Sequence, residues 1–156
     1  LVSQLTLREV LKEAIQKEIS SHSLYTGLRQ RVRKQAVKDA FQDLADQENM
    51  HRQVLEDYLH GRVKEGALST VVVVDYKIAD CLQQPEISPA MELKDVFVIA
   101  AQKEKAAHDL YANLSAIHPV GQVKHLLENL AAQELEHKNR VEALYTEVAF
   151  PQTDGG

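Results

Sequence analysis

Leu44-Ala45-Asp46-Gln47-Glu48-Asn49-Met50-His51 and, 86 positions on, Leu130-Ala131-Ala132-Gln133-Glu134-Leu135-Glu136-His137 are the stretches whose reading decides the fold. Each lies inside a run of apolar residues stepping by four and three. Val37, Phe41 and Leu44 lead into Glu48 and His51, and Leu55 and Tyr58 follow. Val123, Leu127 and Leu130 lead into Glu134 and His137, and Val141 and Leu144 follow. That alternation is the inward seam of a helix in a bundle. Glu and His occupy seam positions where Leu is expected.

The two stretches belong to a longer repeat. Sliding the chain by 86 residues aligns the halves without a gap and gives 17 identities over the 45 positions from 7 to 51. Leu7 meets Leu93, Gln16-Lys17-Glu18 meets Gln102-Lys103-Glu104, His22 meets His108, and Leu24-Tyr25 meets Leu110-Tyr111. Two helical hairpins related by a pseudo-twofold follow, and a site on that axis draws matching residues from both. The other two helices each carry one Glu mid-stripe. Leu7, Leu11, Ala14 and Glu18 continue to Ser21 or His22, then Tyr25 and Leu28. Leu93, Phe97, Ala100 and Glu104 continue to Ala107 or His108, then Tyr111 and Leu114.

The helices are expected over roughly residues 5–30, 35–60, 90–116 and 120–147. Ser88-Pro89 reads as N-cap and first helical residue of the third, and His60-Gly61 as a glycine C-cap of the second. Short connections make each pair an antiparallel hairpin, and about 28 residues, Gly61 to Ser88, cross between the pairs. A short extra helix is expected near 75–83, and Val71 to Val74 reads alternatively as a short extended segment. Residues 1–149 form the bundle domain and 150–156 a loose tail.

Composition agrees. The 156 residues include only 6 Gly and 4 Pro, too few for the turns of a sheet protein, while 44% hydrophobic residues suffice for a core. A single cysteine, Cys81, excludes an intrachain disulfide and a four-cysteine metal site; it reads as a small buried hydrophobe. No apolar run is long enough to span a bilayer, and no basic-then-apolar signal opens the sequence, so a cytoplasmic location is the expectation. The net charge of -5 and the lack of a basic motif argue against nucleic acid and membrane as partners.

Four carboxylates at one level of a bundle interior cost on the order of several kcal/mol apiece if unpaired, and they repel one another. No Lys or Arg falls on the stripes at that level. Two divalent cations would balance four carboxylates, and neutral His51 and His137 would add nitrogen ligands without changing the sum. The i, i+3 step sets Glu and His on one helical face, able to grip one ion. With these four acids inside, the acidic excess describes bound cations more than an anionic surface. The alternative reading is a buried polar network without metal.

The chain resembles the rubrerythrin-related branch of the ferritin-like superfamily. The resemblance rests on Glu18 with Tyr25, Glu48-Asn49-Met50-His51, Glu104 with Tyr111, and Glu134-Leu135-Glu136-His137. Leu44-Ala45-Asp46-Gln47 and Asp75-Tyr76-Lys77-Ile78-Ala79-Asp80 fit as flanking text, and the likeness runs over roughly residues 5–147. It implies an all-α, ferritin-like four-helix bundle holding two iron ions, with manganese or another divalent metal as substitute. Glu48 and Glu134 would bind or bridge the irons, with Glu18 and Glu104 as terminal ligands and His51 and His137 on one iron each. Spacing does not say which Glu bridges. Full-length rubrerythrins carry a four-cysteine rubredoxin domain, which one cysteine cannot supply. They also carry a further Glu one turn after the first on the third helix, where this chain has Ala107 and His108. The remaining ligand set is closer to that of bacterioferritin, but no Met is placed to bind haem.

The functional expectation is oxidation of Fe(II) by oxygen or peroxide, with an unidentified electron donor and a homodimeric assembly. A metal-binding structural module without turnover and a dimanganese catalase-like enzyme are the competing readings. His22 and His108 would be extra ligands, supporting donors or polar residues at the mouth of the site. Tyr25 and Tyr111 would hydrogen-bond the ligand carboxylates. His60, His118 and His125 read as structural or solvated.

Overall fold

The computed structural model describes residues 5–62, 72–73, 88 and 90–149. Helix α1 spans Leu7–Arg31. It starts where Thr6 and Glu9 close a capping box: the Glu9 amide donates to Thr6 Oγ1 at 3.1 Å and the Thr6 amide to Glu9 Oε2 at 2.8 Å. Helix α2 spans Gln35–Leu59. It ends as the His60-Gly61 pair predicts. Gly61 has φ +70°, its amide donates to the Tyr58 carbonyl, and the Arg62 amide reaches back to Asp57. These two bonds are the Schellman pattern, and the left-handed φ is why Gly stands there.

Helix α3 spans Leu93–Ala116 and α4 spans Gln122–Ala149. The start of α3 corrects the expectation at Ser88-Pro89. Its N-cap is Glu92, four residues later. Ser88 closes a turn of its own, accepting from the Ala90 amide at its hydroxyl and from the Met91 amide at its carbonyl. Its acceptors are therefore not aimed at the helix N-terminus. A two-residue antiparallel ladder pairs β1, Leu5–Thr6, with β2, Val72–Val73. The extended reading of the valine run holds at those two residues. The short helix expected near 75–83, Cys81 and the tail 150–156 lie outside the described residues.

Helix α1 packs along α2 and α3 along α4, and the hairpins meet through α1 with α3 and α2 with α4. The apolar interior falls into two clusters. One joins the start of α1 (Leu7, Leu11, Ala14) and the end of α2 (Leu55, Tyr58) to the end of α3 (Leu110, Leu114) and the start of α4 (Leu127, Leu130). The other joins the end of α1 (Tyr25, Leu28) and the start of α2 (Phe41, Leu44) to the start of α3 (Phe97, Ala100) and Val141 of α4. The 86-residue shift turns the first cluster into the second. The pseudo-twofold axis therefore crosses the bundle at mid-height, between two apolar plugs.

Candidate metal centre

The acidic and imidazole residues of the core lie at that mid-height. Glu18, Glu48, His51, Glu104, Glu134 and His137 are each at most 3% exposed. The six residues singled out from the sequence are thus drawn together, two helices supplying one Glu and two supplying Glu-x-x-His. The pairing runs across the bundle. His51 Nδ1 lies 2.8 Å from Glu134 Oε1, and His137 Nδ1 lies 2.8 Å from Glu48 Oε1. The two imidazole rings lie nearly parallel, with their centroids 5.4 Å apart.

The remaining carboxylate oxygens sort into two nests. Around His51 Nδ1 lie Glu18 Oε2 at 3.8 Å and Glu48 Oε2 at 3.7 Å, beside Glu134 Oε1. Around His137 Nδ1 lie Glu104 Oε2 at 3.7 Å and Glu134 Oε2 at 3.6 Å, beside Glu48 Oε1. Glu48 and Glu134 each place one oxygen in each nest, whereas Glu18 and Glu104 serve one nest each. Donor atoms of Glu48, His51, Glu134 and His137 all fall within 4.8 Å of one another, close enough to surround metal.

Two residues to which spacing assigns no role complete the arrangement. Gln133 Oε1 accepts from His51 Nε2 at 2.5 Å, and Gln47 Oε1 accepts from His137 Nε2 at 2.6 Å. An amide oxygen facing Nε2 requires the proton there, so Nδ1 presents its lone pair to the carboxylates. Their repetition as Gln47-Glu48 and Gln133-Glu134 was the available signal. The tyrosines also reach across. Tyr25 donates to Glu104 Oε1 and Tyr111 donates to Glu18 Oε1, each hydroxyl orienting a glutamate of the opposite hairpin. His22 and His108 instead turn Nδ1 to backbone carbonyls, Ala45 at 2.9 Å and Ala131 at 2.6 Å.

The donor set is almost entirely acceptors. Glu18 Oε2 and Glu104 Oε2 are buried with no hydrogen-bond partner, and two imidazole lone pairs face carboxylate oxygens. Such an arrangement calls for cations, or for protons in their place. Burial, reinforced by the neighbouring carboxylate charge, pushes Glu18, Glu48 and Glu134 well above the ordinary carboxylate range. Burial acts on Glu104 too, but the neighbouring Glu134 and His137 and the Tyr25 hydroxyl outweigh it and hold that carboxyl below the range. The repeat-related Glu18 and Glu104 thus move in opposite directions, because a dry cluster accommodates one charge more readily than four. Burial and the adjacent glutamates raise the Tyr25 and Tyr111 hydroxyls, which stay protonated as donors. Two metal ions fit this set: six ligand groups in two nests, two carboxylates common to both, and orphaned oxygens aimed inward.

The surroundings are part open. A cavity of about 20 Å³ lies against Glu18 and Glu48, walled by Lys17, Lys103, Ala107 and Tyr111. A larger one of about 240 Å³ opens to solvent beside Glu18, walled by Ile19, His22, Asn49 and Arg52. His118 accepts from or donates to the Tyr58 hydroxyl at 2.8 Å, His60 lies against the Glu56 carbonyl, and His125 is exposed, all away from the centre. Met50 is 65% exposed and points off the bundle.

A ferritin-like four-helix bundle with paired Glu and Glu-x-x-His sets is the architecture of a di-iron carboxylate protein, and the buried cluster fits such a site. The chain belongs to the Rubrerythrin family, whose profile matches residues 9–88. No curated protein matches the sequence. Among solved structures, a candidate ferritin-like diiron-carboxylate protein from Thermotoga maritima is 20% identical, with a TM-score of 0.74 over 95% of this chain and 99% of that one. A hypothetical protein from Pyrococcus furiosus is 21% identical, with a TM-score of 0.70 over 93% of this chain and 91% of that one. At these identities they establish the shared fold. Among the described residues, no helix is long and apolar enough to cross a membrane.

Proposed function

We propose that the protein binds two iron ions in the two nests and oxidises Fe(II) with peroxide or oxygen. The observation that carries the reading is the division of carboxylate oxygens: Glu48 and Glu134 serve both nests, while Glu18 and Glu104 serve one each. On this reading Glu48 and Glu134 would be shared by the two ions, Glu18 and Glu104 would each serve one, and His51 and His137 would supply the nitrogen ligands. When bound, two ferrous ions supply one electron each, which with two protons takes one peroxide to two waters. The carboxylates stabilise the oxidised, more highly charged metal.

The protein's own groups set the conditions. Gln47 and Gln133 hold the imidazoles with Nδ1 bare toward the metal. Tyr111 and Tyr25 hold Glu18 and Glu104 by one oxygen and leave the other for coordination. The cavity against Glu18 and Glu48 matches the space of a single small molecule such as water or peroxide. An external donor would return the electrons for repeated turnover.

The test is anaerobic loading of metal-free protein with Fe(II), followed by one equivalent of peroxide. Two irons bound per chain, peroxide consumed and ferric absorbance formed is the expected result. Glu48→Ala, which removes an oxygen from each nest, should lose it. Two bound ions that peroxide does not oxidise would make them structural, and oxygen evolution with manganese bound would favour the catalase-like reading.

A further inference from the structure

The two nests match in every contact of their ligands, and one hairpin departs from the repeat a layer further out. The Gln47 amide NH2, whose oxygen faces His137, donates to Asp43 Oδ2 at 2.8 Å. Arg140 Nη1 meets the same Asp43 oxygen at 2.8 Å. The position equivalent to Asp43 in the repeat is Asn129, and the one equivalent to Arg140 is Val54. One histidine therefore stands at the end of a chain of charge, Arg140–Asp43–Gln47–His137, and its counterpart His51 has Gln133 with a neutral amide at the place of the acid.

A carboxylate only accepts. With Asp43 beside it, a flipped Gln47 would turn its oxygen against another acceptor, so the amide is held with NH2 outward and oxygen toward His137 Nε2. That in turn keeps the proton on Nε2 and the lone pair on Nδ1. Asn129 both donates and accepts, so it sets no such preference on Gln133. We propose that Asp43 is a positioning residue that makes the two metal seats unequal, with the His137 seat preorganised and filled first. This rests on the reading of the centre as a two-metal site, and concerns the order and strength of binding rather than the identity of the metal.

The experiment is a calorimetric titration of the metal-free protein with Mn(II) alone. Wild type should bind two ions in two steps separated by about tenfold, the low end of what partners of metal-bound histidines contribute. Asp43→Asn should weaken the tighter step by about that factor, leave the weaker step in place, and leave the melting temperature of the metal-free protein unchanged. Asn129→Asp, which places a carboxylate beside Gln133, should strengthen the weaker step. Two indistinguishable steps in wild type, or an Asp43→Asn effect equal on both, would overturn the inequality while leaving the two-metal site intact. No Mn(II) binding at all would overturn the metal reading itself.

Discussion

Glu18→Gln should stabilise the metal-free protein and weaken the metal-loaded one. Glu18 Oε1 accepts from Tyr111, while its Oε2 is buried without a partner, 3.8 Å from His51 Nδ1. Glutamine keeps the amide oxygen for Tyr111 and puts a donor where the orphaned oxygen was, facing acceptors. An unsatisfied buried acceptor costs about 1–3 kcal/mol, more when charged. Relief of that cost converts to about 2–4 °C per kcal/mol in a chain of this size, so the variant should melt about 2–12 °C above wild type in chelator near neutral pH. Metal reverses the order. Each filled seat adds about 2.7 kcal/mol at a hundredfold excess over its dissociation constant, so wild type gains about 5 kcal/mol from two, and the variant about half. Calorimetric melts in EDTA and in excess Mn(II) measure both terms. A variant less stable than wild type in chelator as well would mean that Glu18 already sits in a satisfied network and that the cluster does not call for cations.

Glu18, Glu48 and Glu134 titrate above the ordinary value of 4.5 in the folded state, so in that range the folded protein binds more protons than the unfolded chain. Their contribution is complete below that value and is lost as pH rises through the raised folded pKa values, with Glu104 opposing as a single group. Metal-free protein should therefore become less stable from mildly acidic to alkaline pH, and Mn(II) should stabilise more as pH rises; a flat pH profile in chelator would contradict this. Phe41, fully buried and packed 6.0 Å from the Tyr25 ring and 5.4 Å from Phe97, should cost about 3–5 kcal/mol when replaced by Ala in urea unfolding. Gly61→Ala meets no neighbouring atom but must hold φ +70°, and should cost about 1–2 kcal/mol by the same measurement.

The helices and the interior position of the four glutamates and two histidines were legible because burial imposes a period. Glu18, Glu48, Glu104 and Glu134 replace apolar residues on stripes that otherwise fill two hydrophobic clusters, and a charged residue on such a stripe has few physical explanations. The start of α3 was misplaced because Ser88 suits a helix cap and a turn equally well, and only its actual donors, the Ala90 and Met91 amides, distinguish them. Gln47 and Gln133 went unassigned because a polar residue beside the stripe looks like any solvated position until its partner across the bundle is known.

By itself the sequence determined the four helices, the pseudo-twofold and the level at which the acids and histidines meet, since each follows from spacing along one chain. The tertiary structure alone decided who meets whom. His51 makes its short contact with Glu134, with Glu48 of its own helix farther off, Tyr111 serves Glu18 and not Glu104, and Glu48 and Glu134 each reach both nests. It also decided that Asp43 and Arg140 extend one half of a repeated site and not the other. Periodicity assigns a residue to a face of its helix; the register and rotation of one helix against another, set by packing of the two apolar plugs, assign it a partner.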